Sequence, residues 1–333
     1  MPSKTACTLF LLAVCTLTAD AQQRVTIGSP KLEGEMNAGE GPAWLPPTDL
    51  YFVGSDRITR RDAQGNPQVF RQPSGGANGL LIDPQGRLVV CEAGARQVTR
   101  TESDGTITIL AGSYQGKRFN SPNDLTIDSK GRIYFTDPRY GRRDTMEIHD
   151  EKGGLIEGVY RIDAPGKVTR ILTHEIERPN GILVSPDNKH LFVADNNNNK
   201  AGGARKLWQF DLKPDGTIAP DSRKLIFDWG TARGPDGFKM DTAGRFFVAA
   251  GLTRNNPPFE TNQQYKGGIY ILSPAGKLLE YVPIPTDEVT NCAFGGPDLK
   301  TLFITAGGSL WSVAVTTPGR ITAPKAAARQ ANR

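Results

Sequence analysis

One pattern recurs six times along this chain, and it restricts the fold more than any other feature. Each copy opens on an oxygen-bearing side chain, runs through an apolar strand, turns on a Gly-, Pro- or Asp-rich corner and returns as a second apolar strand. The copies are EGPAWLPPTDLYFVG from Glu40, NGLLIDPQGRLVVCE from Asn78, NDLTIDSKGRIYFTD from Asn123, PNGILVSPDNKHLFVAD from Pro179, DGFKMDTAGRFFVAA from Asp236 and NCAFGGPDLKTLFIT from Asn291. Their leading residues are Glu40, Asn78, Asn123, Asn180, Asp236 and Asn291. A repeat of roughly 40–55 residues holding several strands marks the blade of a β-propeller.

Between the copies lie further hairpins. GVYRIDAPGKVTRILT from Gly158, KLWQFDLKPDGTI from Lys206, GIYILSPAGKLLEYVPIP from Gly268 and QVTRTESDGTITIL from Gln97 each place a turn between two alternating runs. Each blade therefore reads as four strands, and the chain as an all-β, six-bladed β-propeller. A β-sandwich would not explain an oxygen donor recurring at the same point of each copy. The 37 Gly and 24 Pro suit many short strands and turns rather than helices. Residues 22–317 are expected to form this single domain, with 22 to about 38 a lead-in of little definition.

The ends read differently. Lys4, the apolar run Thr8–Thr18 and the small residues of Ala19-Asp20-Ala21 form a secretory signal, residues 1–21, cleaved after Ala21. A lipoprotein reading at Cys15 competes, but Val14 is bulky where such sites take a small residue. No other stretch is apolar enough to span a bilayer, so the expected location is periplasmic or secreted. Residues 318–333 carry Arg320, Lys325, Arg329 and Arg333 with no acid, and read as a disordered basic tail. The tail accounts for most of the formal net charge of +5, and no basic stripe is left for nucleic acid. With the signal removed only Cys91 and Cys292 remain. Each falls in a strand of a different repeat, which favours two buried thiols over a disulfide.

Three long inserts, Asp137–Gly158, Asn196–Arg205 and Gly251–Lys266, follow second strands of the repeats. They should emerge together on one face, where binding sites are usually built. In a propeller the first strand of each blade lines the central channel, so the six leading residues form a ring around it. Two carboxylates in such a ring need compensating charge. Arg178 and Arg233 stand near enough to supply it, but neighbouring amides point to a cation. An all-oxygen set selects Ca²⁺ or Mg²⁺ over softer metals, with Ca²⁺ favoured by mixed, flexible coordination and Zn²⁺ or Mn²⁺ as alternative occupants. Asn78 and Asn291 are the members best explained as plain turn residues.

These residues resemble the gluconolactonase and senescence-marker-protein (regucalcin-like) family of six-bladed propellers. The resemblance runs from about Gly39 to Thr305. It rests on GEGPAW from Gly39, RFNSPND from Arg118, RPNG from Arg178, GPDG from Gly234 and TNCAFGG from Thr290. It implies a divalent metal held by Glu40, Asn180 and Asp236, with Asn123 a fourth ligand or a substrate contact, and it implies hydrolysis of a lactone. By the same resemblance Asp124 is a candidate for a second, structural Ca²⁺. The stretch from Asp137 to Gly141 (DPRYG) is similar to bacterial members. One departure is Ala93, where relatives carry a histidine, which puts sugar specificity in doubt.

A metal in the channel could polarise a lactone carbonyl while Asp236 orients or deprotonates the attacking water. Arg118 could hold substrate oxygens or only brace its loop. No Gly-x-Ser-x-Gly elbow, phosphate-cradling glycine loop or spaced histidine motif occurs, and His149, His174 and His190 read as surface residues. Besides a sugar lactonase, two functions remain open: a metal-dependent aryl-ester or phosphotriester hydrolase, and a non-catalytic binding propeller with a structural ion. The oligomeric state is left open.

Overall fold

A computed structural model describes residues 25, 27–140, 142–261 and 264–322. The signal sequence with its cleavage point, Gly141 and residues 323–333 lie outside the described residues. The described chain is all-β: six four-stranded antiparallel sheets and no helix among them. Five sheets are continuous in sequence, spanning residues 40–71, 77–111, 125–172, 179–228 and 235–283. The sixth takes three strands from residues 289–314 and its outermost strand, Lys31–Ala38, from the other end of the chain. That lead-in, expected to be undefined, is thus the clasp that closes the ring.

Burial follows strand position. The second strand of each blade is shielded by neighbours on both faces, so Leu88–Glu92, Ile133–Asp137 and Phe246–Ala250 are buried at every residue. This is why they read as continuous apolar runs rather than alternating ones. Fourth strands face solvent, as in Pro67–Arg71. Between blades the space is filled by aromatics such as Phe119, Phe135 and Tyr160, whose ring centroids lie 5.1–5.5 Å apart.

Two local devices aim the inner strands. At the far end, Asp83, Asp128 and Asp241 open equivalent turns. Each Oδ1 accepts the backbone N–H groups two and four residues on, at 2.9–3.0 Å. Each Oδ2 holds the arginine four residues on, at 2.6–2.7 Å. At the near end, the inner strands bulge. Pro179 pairs with Asp195 but Ile182 with Val193, leaving an extra residue in Asn180-Gly181, and Ala77–Leu80 and Pro235–Phe238 repeat this. Bulges of this kind turn a side chain out of the ladder toward a site.

Glycine after the leading residue is a packing requirement. A Cβ on Gly181 would lie 2.3 Å from the carbonyl oxygen of Asp236, and one on Gly237 within 2.3 Å of the Asn291 amide group. The inner strands approach each other too closely for a side chain there.

The C-terminal segment departs from the expected free tail at its start. Residues 318–322 run over the far ends of the inner strands of four blades. Gly319 N donates to Leu299 O, Arg320 N to Met240 O and Thr322 Oγ1 to Ile82 O, at 2.8–2.9 Å. Ile321 packs against the two apolar clusters that contain Leu45 and Trp44 with Phe303. Bonds to backbone carbonyls, together with an apolar side chain, outweigh the polar composition here. Both described cysteines, Cys91 and Cys292, are buried and free. No described helix is long and apolar enough to cross a membrane.

Candidate active site in the propeller channel

The bulges set two tiers of side chains in the channel. In the outer tier stand Glu40, Asn78, Asn123, Asn180 and Asp236. The sixth blade differs: Val289 pairs with Ala306 and Asn291 with Thr305. Thr290 therefore takes the outer position and Asn291 moves inward, a correction to the simple repeat. The inner tier is glycine at Gly41, Gly79, Gly181 and Gly237, and carries side chains only from Asp124 and Asn291. The signal that could have revealed this lies in the sequence, since four leading residues are followed by glycine and two copies break the rule.

The outer tier holds polar atoms that the protein does not satisfy. Asn123 Oδ1 and Asp236 Oδ1 are buried without a hydrogen-bond partner, as is Asp124 Oδ2 of the inner tier. A buried acceptor left unmade is costly, and three such oxygens stand around one axis. Asn180 Nδ2 donates to the Tyr140 hydroxyl at 2.9 Å, which leaves the amide oxygen as its free end. Tyr140 in turn sits under the Arg178 guanidinium, 5.2 Å from the ring centroid. Tyr140 belongs to the DPRYG stretch, and its bond to Asn180 gives that stretch a part in the site.

Electrostatics agree. Burial and the nearby Asp124 carboxylate push the Glu40 carboxyl up to about 7. Burial and the facing Glu40 carboxylate push Asp236 well above the usual carboxylate range. Burial raises Asp124 as well. The arginines considered as counter-charges are committed elsewhere. Arg178 holds Glu157 at 3.0 Å, and Arg233 holds Glu260 at 2.7 Å and also Glu288. Among the described residues no three His, Cys, Asp or Glu side chains gather closely enough to bind a metal by themselves. The amide oxygens of Asn123 and Asn180 are needed to complete a set with Glu40 and Asp236, and this mixed oxygen set fits a hard divalent ion.

The three inserts lie at this end of the channel and are stitched together. Tyr140 donates to Asn196 O at 3.4 Å, joining the first to the second, and Arg205 donates to Phe259 O at 3.4 Å, joining the second to the third. Arg118 lies outside the ring, largely exposed, with Nε held by Glu147 at 2.6 Å. Asn78 donates to Asn123 O at 3.3 Å, a bracing contact. His174 and His190 pair with Asp150 and Asp211 at the surface, and His149 is exposed, all away from the ring.

Fold and site together define a six-bladed propeller with an acid-and-amide pocket on its axis. Residues 38–308 match the family model described as the SMP-30/Gluconolactonase/LRE-like region, and the chain belongs to that family. It is 29% identical to a gluconolactonase of Zymomonas mobilis over 93% of this chain and 94% of that one. A pentonolactonase of Haloferax volcanii is 25% identical over 81% of each. The solved structure of a gluconolactonase from Xanthomonas campestris superposes with a TM-score of 0.72 at 28% identity, covering 90% of this chain and 93% of that one. A calcium-binding regucalcin from Agrobacterium tumefaciens, at 18% identity and a TM-score of 0.66 over 90% and 97%, shares the fold.

Proposed function

We propose that this protein is an exported, metal-dependent lactonase that opens a sugar lactone. The observation carrying the reading is the pair of orphaned buried oxygens, Asn123 Oδ1 and Asp236 Oδ1, beside Glu40 and Asn180. The lactonase names of the family relatives supply the reaction class.

Glu40, Asn123, Asn180 and Asp236 would hold the ion, with Ca²⁺ the best match to an all-oxygen set. When bound, such an ion polarises the lactone carbonyl and stabilises negative charge developing on its oxygen. The chain does the rest. Tyr140 fixes the Asn180 amide, and Arg178 fixes Tyr140. Asp236, whose Oδ1 has no hydrogen-bond partner, is placed to accept a proton from the attacking water. As the water oxygen bonds the carbonyl carbon, the ring C–O bond breaks and the leaving oxygen takes up a proton, giving the open hydroxy acid. Arg118 stands at the loop surface, able to leave Glu147 for a substrate oxygen. Export rests on the N-terminal signal, residues 1–21, and places the enzyme in the periplasm or outside the cell.

The test is hydrolysis of glucono-1,5-lactone before and after exhaustive chelation. Activity should vanish with EDTA and return with Ca²⁺ or Zn²⁺; full activity in chelator would refute the reading. Running aryl esters and phosphotriesters alongside identifies the substrate class. A chain that binds the ion yet turns over none of them would be a binding propeller.

A further inference from the structure

We infer that the cleft between the first two inserts is a second binding site, separate from the ring, and that it takes a hydroxylated carboxylate of the aldonate class. The cleft encloses about 450 Å³ and is walled by Arg143, Glu157, Glu177, Arg178, Asn197 and Lys200. That size is usual for a small-molecule site. Arg178 and Asn197 are only 3% and 8% exposed. Each keeps a buried polar atom with no hydrogen-bond partner among the described residues, Arg178 Nη1 and Asn197 Oδ1. The rest of each group is fixed. Arg178 donates Nε and Nη2 to the Glu157 carboxylate at 3.0 and 3.3 Å. Asn197 donates Nδ2 to Glu177 Oε2 at 2.6 Å, which sets the amide with its oxygen as the free end.

Charge and hydrogen bonding together define the ligand. Glu157 is shared by Arg178 and Arg143, so one carboxylate answers two guanidinium groups. The exposed Lys200 offsets Glu177, and His174, also on the wall, is paired with Asp150 at 2.8 Å. The described walls are thus left with one net positive charge and one spare guanidinium N–H. A carboxylate meets both, through a charge-assisted hydrogen bond. It cannot serve Asn197 Oδ1, which needs a donor, and it is repelled by Glu177. Hydroxyl groups on the same ligand satisfy both of those acceptors. Phosphate or sulfate would set more negative charge against Glu177, and a neutral sugar would leave the guanidinium unanswered. A lactonase at the ring releases a hydroxy acid of this kind. The choice of an aldonate therefore rests on the reading above, whereas the charge and hydrogen-bonding needs of the cleft do not.

The test is calorimetric titration of sodium gluconate into the Ca²⁺-loaded protein and into protein stripped of ions on a chelating resin. Both should bind it with similar affinity, and more tightly than glucose, acetate or inorganic phosphate. Lys200→Glu, a change at an exposed side chain, should weaken gluconate about tenfold. Asn197→Ala should weaken it about fivefold through the lost hydrogen bond. Arg178→Lys should abolish binding, with thermal melts checking the fold; the other two variants stand even if this one fails to fold. Binding seen only in the loaded protein would put gluconate on the ring ion, and equal binding of phosphate or acetate would make the cleft a general anion site. Either result, no binding at all, or unchanged affinity in folded Lys200→Glu and Asn197→Ala would overturn the inference. Gluconate bound by stripped protein, in a chain that turns over no lactone when loaded, would refute the lactonase reading and uphold the site.

Discussion

Burial raises the proton affinity of both Asp236 and Glu40, and a neighbouring carboxylate adds to each, Glu40 for Asp236 and Asp124 for Glu40. Such pairs cost stability until a cation arrives. Asp236→Asn should therefore cut lactone kcat/KM by at least about a hundredfold, while the melting temperature of the ion-free protein stays level or rises. A large fall in that temperature would mean that Asp236 serves the fold instead. Asn180 makes the complementary case. Asn180→Ala removes the oxygen but little packing, so ion affinity should fall more than stability, and calorimetry set against thermal melts would separate the two. Tyr140→Phe should weaken the ion less, since it keeps the Asn180 oxygen and removes the hydrogen bond that orients the amide, about 1 kcal/mol, together with the long hydroxyl bond to Asn196 O. At this scale the sequence sets Glu40, Asn180 and Asp236 at one point of the repeat, because a repeat exposes its own exceptions. It could not show that Asn291 sits one step deeper. That shift depends on ladder register in the last blade, and register is not written in a single strand.

The turns at the far end repeat one solution with three arginine–aspartate pairs. Asp83→Ala would strip two backbone donors and the Arg87 guanidinium of their acceptor. A loss of about 1–3 kcal/mol is expected, read as a lower denaturation midpoint with lactone KM unchanged. The corners themselves are legible from their Gly, Pro and Asp residues, whereas the arginine that each aspartate holds is seen only in the structure. The lead-in strand Lys31–Ala38 was not, because its partner lies at the other end of the chain and its own sequence, KLEGEMNA, carries no apolar run. Residues 318–322 escaped notice for a related reason: what holds them is mostly carbonyl groups of other blades, invisible in a Pro- and Arg-rich string.

At the scale of the whole molecule, buried carboxyls make stability depend on pH. Burial raises Asp137 to about 7, against the opposing pull of the Asn120 and Ser121 N–H groups and Arg96, with Glu157 adding to the rise. Glu40 is held at about 7 as well. Both values exceed those of the unfolded chain, so between about pH 4 and 7 the folded state retains protons that the unfolded state releases. Stability of the ion-free protein is then fully present below pH 4 on account of these groups and is lost as pH rises through 7. Melting temperatures in EDTA should fall between pH 5 and 7.5, whereas the gain from added Ca²⁺ should grow over the same range, since the ion binds the ionised ring. A flat profile in EDTA would show that these carboxyls are already compensated.

The clasp in the sixth blade has a consequence for the order of events in making the molecule. Lys31–Ala38 emerges from the ribosome before any of its partners and must wait, unpaired, until residues 308–314 have followed. Chain closure over so long a loop adds little entropy per residue but delays the last contacts. Five blades can assemble as they are synthesised; the circle, and with it the axial pocket that needs all six inner strands in place, is completed only when both ends of the polypeptide are free to meet.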